Sequence, residues 1–211
     1  MPEHLSTLEI LGLAGSLSLL AGWRLYLCIL ATGIAMRFGV LPLPDHLESL
    51  QVLANPWVMG IAGVATLAEF FADKIAWLDS VWDAVHTAIR PIGGALLTLA
   101  VIDPADPTTQ VIAFILGGGA TLLSHGGKAG ARAVVNTSPE PFSNIAVSTV
   151  EDVATGGLLF LAYQYPEIAV VVAIIMLAFV IGLLVLARRF LRTLFGRRRD
   201  SRADTAGPPV Q

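Results

Sequence analysis

Long uncharged runs, separated by short polar breaks, dominate the chain. Residues 168–187 form an uninterrupted apolar stretch, and residues 107–127 carry no charge. A hydrocarbon layer of about 30 Å takes about 20 residues of α-helix to cross, so both predict membrane spans. Residues 10–36 are long enough but carry Arg24 near the middle. Residues 55–76 are apolar up to Glu69, Asp73 and Lys74, and residues 144–165 carry Glu151 and Asp152. Residues 91–102 are short and cross only if their helix begins upstream, near His86. The pattern predicts an all-α protein of about six transmembrane helices.

Between the second and third spans the period changes. Asp79, Asp83, His86 and Arg90 recur on one side of a helix, with Leu78, Val81, Trp82, Val85 and Ile89 on the other. Tryptophan beside an acidic stripe predicts an amphipathic helix over about 77–89, lying at the membrane interface with its polar stripe in water.

Composition excludes the other classes. Of 211 residues, 55% are hydrophobic and 14% charged, with a mean hydropathy of +0.73. A soluble domain carries about 25% charge, so this chain cannot dress its apolar residues for water. Disorder is excluded on the same ground, and the single cysteine, Cys28, excludes a disulfide framework.

Charge is unevenly placed. Arg188, Arg189, Arg192, Arg197, Arg198, Arg199 and Arg202 face only Asp200 and Asp204, which leaves six basic and fourteen acidic groups in the first 187 residues. Because the arginine run directly follows an apolar segment, it predicts a cytoplasmic anchor rather than a nucleic-acid site. With six spans the N-terminus is then cytoplasmic too. Asp45, Glu48, Asp103 and Asp106 fall outside, with Lys74, Lys128 and Arg132 inside. The first residues lack a basic n-region and a cleavage site, so no signal peptide is expected. The expected layout is one transmembrane domain over 1–192 and a basic, disordered cytoplasmic tail over 193–211, in a bacterial inner membrane.

An internal similarity suggests duplication. Residues 15–24 and 119–128 align without gaps, with both glycines and Leu19/Leu123 coinciding and Arg24 falling on Lys128. Each is followed by a helix with a carboxylate, Glu69 or Glu151, and then by Gly93-Gly94 or Gly156-Gly157. Three spans per half predict two inverted three-helix repeats, about 8–103 and 107–188, an arrangement found among secondary transporters.

Gly22-Trp23-Arg24, then Glu69 with Ile75-Ala76-Trp77-Leu78-Asp79 and Asp83, then Gly117-Gly118-Gly119 and His125-Gly126-Gly127 carry a resemblance. In this motif order the chain resembles the bacterial membrane family catalogued as domain of unknown function 4126, from about residue 8 to residue 192. The resemblance implies a multi-span membrane protein and brings no substrate. Glu69-Phe70-Phe71-Ala72-Asp73-Lys74 is similar to the Glu-x-Gly-Asp-Lys/Arg motif of inverted-repeat cation exchangers, with one extra residue and no glycine before the aspartate.

Arg24 has long apolar flanks, and a charge near the bilayer centre costs about 2.5–3.5 kcal/mol on insertion scales. It should therefore face the bundle interior and pair, with Glu69 and Glu151 as the expected partners and Asp152 as a spare. Lys128 is the matching cation of the second half. Gly117, Gly118 and Gly119 suggest a broken helix exposing backbone groups, with Gly22, Gly126 and Gly127 as further candidates, although close helix packing is the preferred reading of these glycines. Asp79, Asp83 and His86, at i, i+4 and i+7, offer oxygen and nitrogen ligands to a divalent cation, unless they simply face solvent.

No nucleophile elbow, phosphate loop or dinucleotide fingerprint is present, so neither an enzyme nor a cofactor is expected. The sequence points to a transporter or channel for a small ion or polar solute, with Arg24, Glu69, Lys128 and Glu151 at its centre. The alternative is a non-transporting scaffold or lipid-handling protein whose charges are structural pairs. The expected partners are the lipid bilayer and the solute, without nucleic acid, and self-association is left open.

Overall fold

A computed structural model describes residues 6–39, 51–102, 106–136 and 142–204. Asp45, Glu48, Asp103 and tail residues 205–211 lie outside them. The described chain is helical: α1 (Thr7–Arg37), α2 (Pro56–Ala72), α3 (Ala76–Ile102), α4 (Pro107–Val135), α5 (Phe142–Gln164) and α6 (Pro166–Asp204). Five of these are long and apolar enough to cross a membrane, and α2, at 17 residues, is shorter. The third span does begin upstream of Pro91, at Ala76.

Local chemistry fixes the helix starts. Ser6 and Glu9 form a capping box on α1, the Ser6 N–H donating to Glu9 Oε2 at 2.6 Å and the Glu9 N–H to Ser6 Oγ at 3.3 Å. Asn55 and Asp106 cap α2 and α4, each followed by proline at the first helical position, where a missing N–H costs nothing. Asp106 accepts the Thr109 N–H at 3.0 Å, and its hydrogen bonds with Thr109 hold its carboxyl below the ordinary carboxylate pKa.

α1 is two helical arms joined at Arg24, whose φ of −142° and ψ of 73° are not helical. A Cβ on Gly12 would meet Val170 and one on Gly15 would meet Ala173, while Trp23 packs edge-on against Phe179. The first arm therefore runs parallel to α6. Arg24 contacts Ser148 and Glu151, whereas Thr32 is bonded to Tyr163, so the second arm runs parallel to α5. Because α5 and α6 are antiparallel across the short turn at Tyr165, α1 enters the bundle and turns back. Its start and its end lie together, beside the start of α6.

This overturns two expectations. Residues 15–24 run parallel to 119–128, since Ser18, Leu19 and Trp23 meet Thr121, Ser124 and Lys128 in that order. An inverted repeat would set these segments in opposite directions, so that relation does not hold. Thr7 and the C-terminal part of α6 lie at opposite ends of the bundle, so the chain does not return to its starting side. With cysteine introduced at Thr7 or Thr193, an impermeant thiol reagent is expected to label the two sites from opposite faces. Labelling from one face would refute the turn at Arg24.

A further correction concerns the polar stripe. Residues 77–89 are no separate interfacial helix but the first half of α3, and their stripe points the other way. Asp79, Asp83, His86 and Arg90 are buried, while Trp77, Val81, Val85 and Ile89 face outward. The surroundings of such a bundle are hydrocarbon, so the apolar face belongs outside and the polar face in. The α6 helix runs on through Asp204, into the stretch expected as the tail.

Candidate functional site

The turn at Arg24 ends a helical arm inside the protein, and the last carbonyls of a helix have no partner within it. Side chains of α3 and α4 supply the donors. Arg90 Nη1 donates to the Gly22 carbonyl at 2.9 Å and Lys128 Nζ to the Trp23 carbonyl at 3.3 Å. One turn earlier, where the carbonyls already have partners within the helix, Ser124 Oγ adds a bond to Leu19 at 2.6 Å and Thr121 Oγ1 one to Ser18 at 2.8 Å. The negative end of the helical arm thus meets two cations, the favourable sense of its dipole. Gly22 makes this approach possible: a Cβ there would stand 2.5 Å from the Thr121 carbonyl oxygen and 2.6 Å from Ser124 Cβ. Gly22→Ala is expected to lower stability by about 1–3 kcal/mol, as overpacking does. A thermal melt in detergent measures it, and an unchanged midpoint would show that the contact is loose.

Two charged groups surround the turn. In the first, Arg24 binds Asp73 at the end of α2, approaches Glu151 Oε2 at 3.3 Å and sets its Nε 2.8 Å from Asp152 Oδ1. Lys128 Nζ lies 2.8 Å from the same Asp73 oxygen and 3.7 Å from Glu151. Lys74 reaches Asp152 at 3.8 Å and lies over the Phe70 ring at 3.3 Å. Arg24, Lys74 and Lys128 balance Asp73, Glu151 and Asp152.

The second group lies along α3. Arg90 Nη2 donates to Glu69 Oε1 at 2.5 Å, and its Nη1 stands 3.7 Å from Asp83 Oδ1. Arg132 Nη2 bonds Asp79 Oδ1 at 3.1 Å and the Asp73 carbonyl, while Asn136 Nδ2 donates to Asp79 Oδ2 at 2.7 Å. Two histidines complete the group. Arg90 Nη1 can only donate, so His125 Nδ1 accepts at 2.9 Å and its Nε2–H faces the Asp83 carbonyl at 3.1 Å. The Trp82 carbonyl can only accept, so His86 Nδ1 donates to it at 2.8 Å, and its Nε2 faces the Tyr26 hydroxyl, which can donate to it, at 3.0 Å. His125, which accepts at Nδ1 from a guanidinium, is therefore neutral.

Measured against the sequence, Arg24, Lys128, Glu151 and Asp152 do come together. Glu69 does not join them, because Arg90 takes it. Asp73, shared by Arg24 and Lys128, was not among the expected partners, nor was Arg90. Their signal was present: Asp73 follows Glu69 by four residues on one helical face, and Arg90 continues the stripe of Asp79, Asp83 and His86. Asp79, Asp83 and His86 do not converge on a metal. Each has a different partner, and among the described residues no three His, Cys, Asp or Glu side chains group as a metal site would need.

The helix break lies at Arg24 and not at the glycines. α4 runs unbroken through Gly117, Gly118, Gly119, Gly126 and Gly127. Gly117 is there for close packing, since a Cβ would collide with Thr98; Gly127 would meet Val180 at 3.2 Å, and Gly126 and Gly119 have room.

A family model described as domain of unknown function (DUF4126) matches residues 11–186. No curated protein and no solved structure matches the chain.

Proposed function

The chain belongs to the DUF4126 family of multi-helix membrane proteins, and for it we propose transport or conduction of a small ion or polar solute through the charged centre at Arg24. The observation that carries this reading is the helix that ends inside the bundle among ionisable side chains. Half-helices and unwound backbone near the membrane interior are how transporters expose polar groups to a solute. A protein needing only stability has little use for such a costly set, because apolar replacements of a buried pair are often neutral or stabilising.

In this reading Arg24, Lys128, Asp73, Glu151 and Asp152 form the central site, and Glu69 acts through Arg90. The protein is no enzyme. It sits in a bacterial inner membrane with its arginine-rich end in the cytoplasm, which places Thr7 on the outer side. Loops after α1 and α3 then stay outside and those after α2 and α4 inside, as their charges favour.

Complete pairing of the first charged group favours a second reading, a scaffold in which these residues only hold helices together. Uptake into vesicles containing the purified protein separates the two. Flux of an alkali cation, proton or small polar solute is expected, with Glu151→Gln folded in the membrane but lacking flux. Absence of flux across the panel, with stability lost in Glu151→Gln, would replace the transport reading by the scaffold.

A further inference from the structure

A cavity of about 240 Å³ opens between α3 and α4, lined by Asp79, Asp83, Ser80, Thr87, Arg132 and Asn136 among others. We propose that this cavity binds a monovalent alkali cation, with the Asp83 carboxylate and the Asn136 side-chain carbonyl as its principal ligands. The inference gives a substrate class to the transport reading, but it concerns binding and is tested by binding.

Available atoms decide the sign of the ligand. Asp83 is 7% exposed and its Oδ1 has no hydrogen-bond donor, its nearest cation being Arg90 at 3.7 Å. Asn136 Oδ1 is likewise buried without a donor, while its Nδ2 is spent on Asp79, on the Ala76 carbonyl and on Ser80. Ser80 Oγ donates to the Ala76 carbonyl and accepts from Asn136, and Thr87 Oγ1 donates to the Asp83 carbonyl and accepts from His125, which leaves each hydroxyl one lone pair. Arg132, the one cation that lines the cavity, is committed to Asp79, and Arg90, which does not line it, is paired with Glu69. What remains free is oxygen, which suits a hard cation and repels an anion.

Charge sets the valence. The first group around Arg24 is balanced. The second holds Glu69, Asp79 and Asp83 against Arg90 and Arg132, so with His125 neutral and His86 accepting from Tyr26 as a neutral ring, one negative charge is left over. A monovalent cation beside Asp83 cancels it. A divalent ion would reverse the imbalance and would find one uncommitted carboxylate, where magnesium and calcium sites use more oxygen ligands than the cavity offers. An uncompensated charge in a poorly solvated site is costly, so occupancy stabilises the fold.

The test uses the full chain in detergent at constant ionic strength. N-methyl-D-glucamine chloride is replaced stepwise by NaCl or KCl while the melting temperature is followed. A saturable rise of roughly 5 °C is expected for at least one alkali cation. Asp83→Asn removes the surplus charge with little change of shape, and loss of the response is expected. An equal response to N-methyl-D-glucamine, no response at all, or an unchanged response in Asp83→Asn would overturn the proposal. Should Asp83→Asn not fold, Ala84→Cys reports on the same cavity, Cys28 being fully buried. Its alkylation is expected to slow with saturating alkali cation, and a rate indifferent to the cation would overturn the proposal. Cation binding without vesicle flux would leave the site standing and remove only the transport reading.

Discussion

Replacing Arg24 by methionine is expected to be among the most damaging single changes, lowering stability by about 3–5 kcal/mol, the cost of stripping one partner from a buried ion pair. The side chain is 2% exposed and meets three carboxylates, from α2 and α5. Without it, Lys128 and Lys74 are left to balance Asp73, Glu151 and Asp152. Since Arg24 also marks the turn between the two arms of α1, their register depends on the same contacts. Arg24→Met together with Asp73→Asn restores the balance, leaving Lys128 with Glu151 and Lys74 with Asp152, and is expected to recover much of the loss. The yield of monodisperse protein and the thermal midpoint in detergent measure both. A single variant as stable as the wild type would mean that Arg24 is solvated rather than paired.

The Arg90–Glu69 pair is expected to respond asymmetrically. Arg90→Met leaves Glu69, itself 1% exposed, without its cation, and takes donors from the Gly22 carbonyl and from His125. A loss of about 3–5 kcal/mol follows from the abandoned charge. Glu69→Gln keeps an acceptor for Arg90 and removes the surplus negative charge of its group, so its cost is expected to stay near about 1 kcal/mol, that of an ordinary hydrogen bond. Paired thermal melts test the difference. Equal losses would show that the surplus charge does not matter, and would weaken the cation site along with the pair.

Much of the fold was legible in the sequence because hydropathy reports directly on the transfer of a segment into hydrocarbon. It determined the all-helical membrane class, the apolar segments that became α1 to α6, and the requirement that Arg24 be compensated inside the bundle. Hydropathy carries no direction, however. A segment that enters and turns back reads like one that crosses, particularly when the turn has no polar loop. Here the turn needs none, because Arg90 and Lys128, remote in sequence, satisfy the Gly22 and Trp23 carbonyls that it frees. The stripe from Asp79 to Arg90 was visible as a period of charge, but a period does not say which side is wet. Hydrocarbon around the bundle turned it inward. Nor can spacing choose among five buried or half-buried cations and six carboxylates: it was the packing of α2 against the tip of α1 that gave Arg24 to Asp73, and left Glu69 to Arg90. The sequence decided which charges must be buried, and only the tertiary structure decided which of them meet, because pairing depends on distances between helices that no local pattern encodes.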